Sequence, residues 1–198
     1  MEQRVWLLYV DGASNPGGSG AGILLWSPEG HKIKYTLRFA FTATNNEAEY
    51  EALANGLSLA NPLGAEHNHV RMNSQLLVGD VKGNFKIDKM KERLVGYLRR
   101  VRGLARLFRS YHMEHVPRKR NQEADRLSQL ATAEYGTMQD STPVEWVEEA
   151  FREKEVMDNA LEGSRSTLGP WYQDVLKFLS SGVLSEDPRW PARSRGKA

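Results

Sequence analysis

Asp11, Glu47, Glu49, Asn73 and Asp125 are the residues of this 198-residue chain whose types and placement point to chemistry. Hydrolysis of a phosphodiester by two metal ions needs three or four carboxylates converging on Mg2+ ions about 4 Å apart. Rigid strand ends and the helices beside them hold such a geometry best. Asp11 follows the apolar run RVWLLYV and stands directly before a Gly/Asn/Pro turn, and Glu47 and Glu49 lie in the first turn of the helix-like TNNEAEYEALANGLSLA. Asp125 lies in the first turns of another helical segment, after HVPRKRN, and Asn73 falls where the strand-like NHVRMN gives way to SQLLVGDVKG. Each has an ordinary reading too: an Asp before Gly as a turn residue, an acidic residue early in a helix as a complement to the helix dipole. Glu47 and Glu49 are about 200° apart around a helix, so both cannot face one site. Asp80 cannot stand in for position 73, because seven residues of helix carry it roughly 10 Å away.

The elements that must position these side chains are legible from patterning. Residues 4–10, 21–27 and 33–39 are short apolar or alternating runs separated by DGASNPGGSG and SPEGHK, which predicts a three-stranded antiparallel meander. A helix follows from Thr44, an N-cap candidate, to near Asn61-Pro62. Then come a strand over 68–73, a short helix closed by Gly83, and a long amphipathic helix with Ile87, Met90, Leu94, Leu98, Val101, Leu104 and Phe108 at spacings of three and four. YHMEHVP reads as a fifth strand and NQEADRLSQLATAEY as a helix capped by Asn121. The order βββ-α-β-α-α-β-α describes an α/β fold, a mixed five-stranded sheet flanked by helices. If the first and fourth strands are neighbours, Asp11 and position 73 open at the same edge. Trp6, Trp26 and Tyr35 are assigned to the core.

Composition narrows the function classes. Without cysteine there is no disulfide framework, thiolate zinc site or cysteine nucleophile, so any metal must be held by oxygen or histidine. No run of about 18 apolar residues occurs, and the expectation is a protein that neither spans a membrane nor is secreted, placed in the cytoplasm or nucleus. Residues 85–120 carry twelve Lys or Arg against Asp88, Glu92 and Glu114, although the whole chain is only +2. A basic block in an otherwise acidic chain fits a polyanionic partner, or else a solvated helix face. After about Tyr135 the composition shifts to a linker, an acidic segment over 145–162 expected to be helical, and the small amphipathic PWYQDVLKFLSSGVL. This gives a domain over 1–135 and a largely helical or disordered extension over 136–198.

YVDGASNPGGSGAGILL, TNNEAEYEAL, NSQLLVGDVKG and HVPRKRNQEADRLSQLA, in that order, resemble type 1 ribonuclease H, in particular the ribonuclease H domain of gypsy-type LTR retrotransposon polyproteins of plants. The resemblance covers about residues 4–135. WYQDVLKFLSSGVLSEDPRW is similar, less specifically, to the segment that joins ribonuclease H to integrase in such polyproteins. The resemblance implies a ribonuclease H-like fold and a two-metal endoribonuclease using Mg2+, or Mn2+ in its place, on the RNA strand of an RNA/DNA hybrid. It also implies reverse transcriptase and integrase portions of the same polyprotein as partners. Among site residues it implies Asp11 as the carboxylate shared by both ions, Glu49 as the helix glutamate and Asp125 as the ligand on the water-activating ion. His115 corresponds to the family's mobile histidine, unless loop shortening gives that place to Arg118. Thr44, Asn45, Asn46 and Gln75 match hybrid-contacting positions, and Arg99, Arg100, Arg102 and Arg106 would follow the DNA strand's phosphates. Where the family has the Asp of a D-S-Q motif, this chain has Asn73-Ser74-Gln75. An amide lends a neutral oxygen but no charge, so weakened or absent cleavage is expected, with a hybrid-binding module as the alternative.

Overall fold

The computed structural model describes residues 4–83, 92–133, 144–148 and 150. Strands β1 (Val5–Asn15), β2 (Gly18–Trp26) and β3 (Lys32–Phe39) form the expected antiparallel meander. Helix α1 (Asn45–Ala60), strand β4 (His67–Met72), helices α2 (Gln75–Lys82) and α3 (Glu92–Ala105), strand β5 (Ser110–His115) and helix α4 (Gln122–Thr132) follow, and a last strand β6 is Val144–Val147. The sheet order is β5-β4-β1-β2-β3-β6, with β1 parallel to β4, β4 to β5, and β3 to β6.

Alternation along β1 buries Trp6, Leu8 and Val10 on the face that α1 covers, α3 packs outside α1, and α4 crosses the opposite face over β1, β2 and β3. Trp6 and Tyr35 are buried as expected, while Trp26 is half-buried beneath the Lys32 ammonium. Helix α1 begins with a capping box in which Thr44 Oγ1 accepts from the Glu47 amide and Glu47 Oε2 accepts from the Thr44 amide at 2.8 Å. That fixes Glu47 in a structural role and turns Glu49 to the other side. Helix α2 ends on Gly83 at φ 78°, a left-handed conformation suited to glycine.

Four expectations are corrected. Asp11 does not end its strand: β1 continues to Asn15, paired residue by residue with β2 as far as Gly18, and only Pro16 and Gly17 turn. The physical reason is the run of small residues on both strands, which keeps the ladder while helices press close. The sheet has six strands, not five, because β6 pairs with β3 and Ala40 donates to the Val147 carbonyl at 2.9 Å. Residues 145–147, expected to be helical, are therefore strand. They add a short edge beyond position 135, with Arg38 over the exposed Trp146 ring. Residues 149 and 151–162, the amphipathic segment after them and the start of the long helix before Glu92 lie outside the described residues. Finally, Asn121 precedes α4 but its side chain makes no cap bond. No described helix is long and apolar enough to cross a membrane.

A buried polar pair ties α1 to α2: Tyr50 Oη donates to Asp80 Oδ2 at 2.9 Å, and the Tyr50 ring stacks on Tyr97 of α3. Burial, then the Asp80 carboxylate, push the Tyr50 hydroxyl far above its ordinary range. Tyr50→Phe leaves that carboxylate short of a donor and is expected to cost about 1–3 kcal/mol in urea unfolding. A change below about 0.5 kcal/mol would show the pair to be dispensable.

Candidate active site

Parallel pairing of β1 and β4 sets the site. The register pairs Tyr9 with Arg71, so two residues further on Asp11 is level with Asn73, just past the end of β4. Close helix approach does the rest. A Cβ on Gly12 would lie 2.2 Å from the Ala48 carbonyl carbon and 2.3 Å from the Glu49 nitrogen, so only glycine lets α1 bring Glu49 beside Asp11. Gly22, the cross-strand partner of Asp11, plays the same part for α4: a Cβ there would lie 2.1 Å from the Ala124 carbonyl oxygen and 2.5 Å from the Ser128 nitrogen.

Asp11 and Asp125 meet donors from this chain. Asp11 is buried; Ser128 donates to its Oδ2, and the Asn73 side chain lies close by. Asp125 Oδ1 accepts from Arg118 Nε at 3.1 Å and from a terminal guanidinium nitrogen at 2.6 Å, and Asp125 Oδ2 accepts from Gln129 Nε2 at 3.1 Å. Glu49 lies near Ser74, whose side chain caps α2. Asn121 Nδ2 donates to both the Val10 carbonyl and Asn73 Oδ1, each at 2.9 Å, and its own Oδ1 stays buried without a partner. Asn121 thus fastens the start of α4 to the two strands that carry Asp11 and Asn73.

Burial pushes the Asp11 carboxyl up, against hydrogen bonding by Ser128 and with the charge of Asp125 adding to the rise. Burial also pushes Glu49 up, opposed by Ser74 and reinforced by Asp11. A carboxyl raised in the fold costs stability once ionised. That cost is complete above the folded value and vanishes as pH falls below the ordinary value of 4.5. Glu49→Gln is therefore expected to raise the thermal midpoint at pH 7, with the gain shrinking to nothing toward pH 3.5. Melts across this range check it, and an undiminished gain in acid would contradict the cost of burying the charged carboxylate.

Sequence reasoning brought Asp11, Glu49, Asn73 and Asp125 to one edge, and the structure places them there. Thr44, Asn45, Asn46 and Gln75 are exposed at the first turns of α1 and α2, bordering the same edge. His115 is exposed at the end of β5, level with Met72, whereas Arg118 is the group that reaches Asp125. Arg99 and Arg106 are exposed on or just after α3 and Arg100 is half-buried there; Arg102 instead donates to the Asp80 carbonyl at 3.0 Å. Ser74 and Ser128 escaped the sequence reading as site residues, and Asn121 was read there only as a helix cap. For Ser128 the available signal was its place three residues after Asp125, one helical turn on.

A family model described as reverse transcriptase-like matches residues 9–131. A bifunctional protein of Mycobacterium tuberculosis is 38% identical over 125 residues, 62% of this chain and 34% of the relative, so the chain spans about a third of that protein's length. The crystal structure of RNase H1 from the halophilic archaeon Halobacterium salinarum is similar with a TM-score of 0.59 and 31% identity, covering 64% of this chain and 96% of the other. LC11-RNase H1, isolated from compost and solved in complex with an RNA/DNA hybrid, gives a TM-score of 0.57 at 26% identity over 64% of this chain and 96% of its own.

Proposed function

The chain belongs to the reverse transcriptase-like family, its ribonuclease H-like domain is homologous to RNase H1 enzymes, and from that premise we propose a domain of gypsy-type retroelement origin that engages RNA/DNA hybrids and hydrolyses their RNA strand only weakly. The observation that carries this reading is the convergence of Asp11, Glu49 and Asp125 on a fourth position that holds Asn73. In this reading the protein works in the cytoplasm or nucleus beside reverse transcriptase and integrase portions of one polyprotein, with 136–198 as the connector.

The donor set does not fit the two divalent ions that the family resemblance implies. Among the described residues no group of three or more His, Cys, Asp or Glu side chains is placed to hold one ion. Asn73 Oδ1 already accepts from Asn121, and a guanidinium already sits on Asp125. The residues' own work is then binding. Thr44, Asn45, Asn46 and Gln75 offer polar groups and helix N-termini to a backbone and to 2′-hydroxyls. The exposed arginines of α3 and the turn Arg118–Arg120 offer charge to phosphates.

Two measurements test this reading. Hybrid should outcompete duplex DNA of the same sequence in EDTA, and equal affinity for both would defeat it. Replacing Arg99, Arg100 and Arg106 with Gln should flatten the salt dependence of log K by about 2–3, since each phosphate contact contributes roughly 0.7–0.9. An unchanged slope would remove α3 from the interface. A pure binding module is favoured by the Asn121 hydrogen bond that occupies Asn73 Oδ1, and the absence of hybrid cleavage at high enzyme in Mg2+ would select it.

A further inference from the structure

We propose that Arg118 is a built-in counter-charge that closes the Asp125 half of the site to a divalent ion, so that Asn73 and Arg118 together set the site's response to metal. This rests on reading Asp11, Asn73 and Asp125 as one site. Both oxygens of Asp125 are occupied by donors of the same chain, Oδ1 by two nitrogens of Arg118 and Oδ2 by Gln129. The guanidinium also acts on Asp11 across the site. A guanidinium and a divalent cation compete for the same lone pairs, and the guanidinium is charged at every accessible pH.

The backbone holds Arg118 in place. It opens the 3-10 turn Arg118–Arg120, where Arg120 donates to the Pro117 carbonyl at 2.8 Å and Asn121 donates to the Arg118 carbonyl at 2.9 Å. Asn121 is in turn fastened to Val10 and Asn73. The turn that positions Arg118 and the residue that replaces the third carboxylate therefore share one anchor. Restoring the carboxylate alone leaves the guanidinium on Asp125.

The test is a Mn2+ titration followed by the electron paramagnetic resonance of the free ion, on the full chain and on Asn73→Asp, Asn73→Asp/Arg118→Gln and Asn73→Asp/Arg118→Lys. The Gln double variant is expected to bind Mn2+ about tenfold or more tightly than Asn73→Asp, the Coulomb effect of removing one charge roughly 6 Å from a divalent ion in water. The Lys variant keeps the charge and is expected to keep the weaker binding. Equal Mn2+ affinity in Asn73→Asp and the Gln double variant overturns the proposal, as does tight binding by the Lys variant. The Arg118 side chain is 67% exposed, so the thermal midpoint in EDTA should not move on its replacement. Hybrid against duplex DNA affinity in EDTA, measured on the wild-type chain, separates the two readings: absence of hybrid preference there defeats the hybrid assignment, while the Mn2+ titration still decides Arg118.

Discussion

Asn73→Asp is expected to raise hybrid cleavage in Mg2+ by a few hundredfold or more over the wild-type chain. The argument is one of charge. An amide and a carboxylate have nearly the same shape, so the substitution changes little in packing at a half-buried position. It adds one negative charge level with Asp11, where a neutral amide now stands. Two adjacent carboxylates repel unless a cation lies between them, so the variant favours cation uptake where the wild type satisfies Asp11 internally. In a poorly solvated site, one charge near a divalent ion amounts to several kcal/mol. At about 1.4 kcal/mol per decade, even 3–4 kcal/mol corresponds to a few hundredfold. Adding Arg118→Gln should raise the rate further, because Asp125 is then released as well. Single-turnover cleavage of a labelled hybrid measures both steps, and comparable rates for wild type and Asn73→Asp would end the impairment argument.

Gly22→Ala is expected to destabilise the fold by about 3 kcal/mol or more, at the upper end of overpacking costs. The added carbon would meet the Ala124 carbonyl oxygen at 2.1 Å and the Ser128 nitrogen at 2.5 Å, both of them backbone. A flexible side chain could swing away, but a helix backbone must shift as a unit. Moving α4 outward would also withdraw Ser128 from Asp11 and Asp125 from the site. The variant should therefore lose hybrid binding along with stability. Urea unfolding with retained cooperativity measures the first effect and a hybrid titration the second. A loss below about 1 kcal/mol would mean that α4 is not pressed onto β2 as described.

Much of this architecture could be read from patterning because the forces that fix it are local. The Gly/Pro punctuation, the period-two strands and the capping signal at Thr44 and Glu47 each act within a few residues, and the structure keeps them. The convergence of Asp11 with Asn73 followed once β1 and β4 were taken as neighbours. Other features could not be read, because a distant partner decides them. Asn121 looks like an N-cap in sequence, yet its amide is drawn to Val10 and Asn73, over a hundred and about fifty residues away. Arg102 looks like one more phosphate contact, but α2 ends where its guanidinium can meet the Asp80 carbonyl. The strand Val144–Val147 looks like part of an acidic helix until the open edge of β3 offers it hydrogen bonds.

The sequence by itself determined the order of the first nine elements and the basic block, because residue type and spacing state these directly, and its resemblance to ribonuclease H implied the three carboxylates and Asn73 in place of a fourth. Only the tertiary structure decided which donors meet those carboxylates. Ser128 on Asp11, Arg118 on Asp125 and the nearness of Ser74 to Glu49 depend on how closely α4 and α1 approach β1. That approach is set by the absent side chains of Gly12 and Gly22, whose effect appears only when the helices are packed against them.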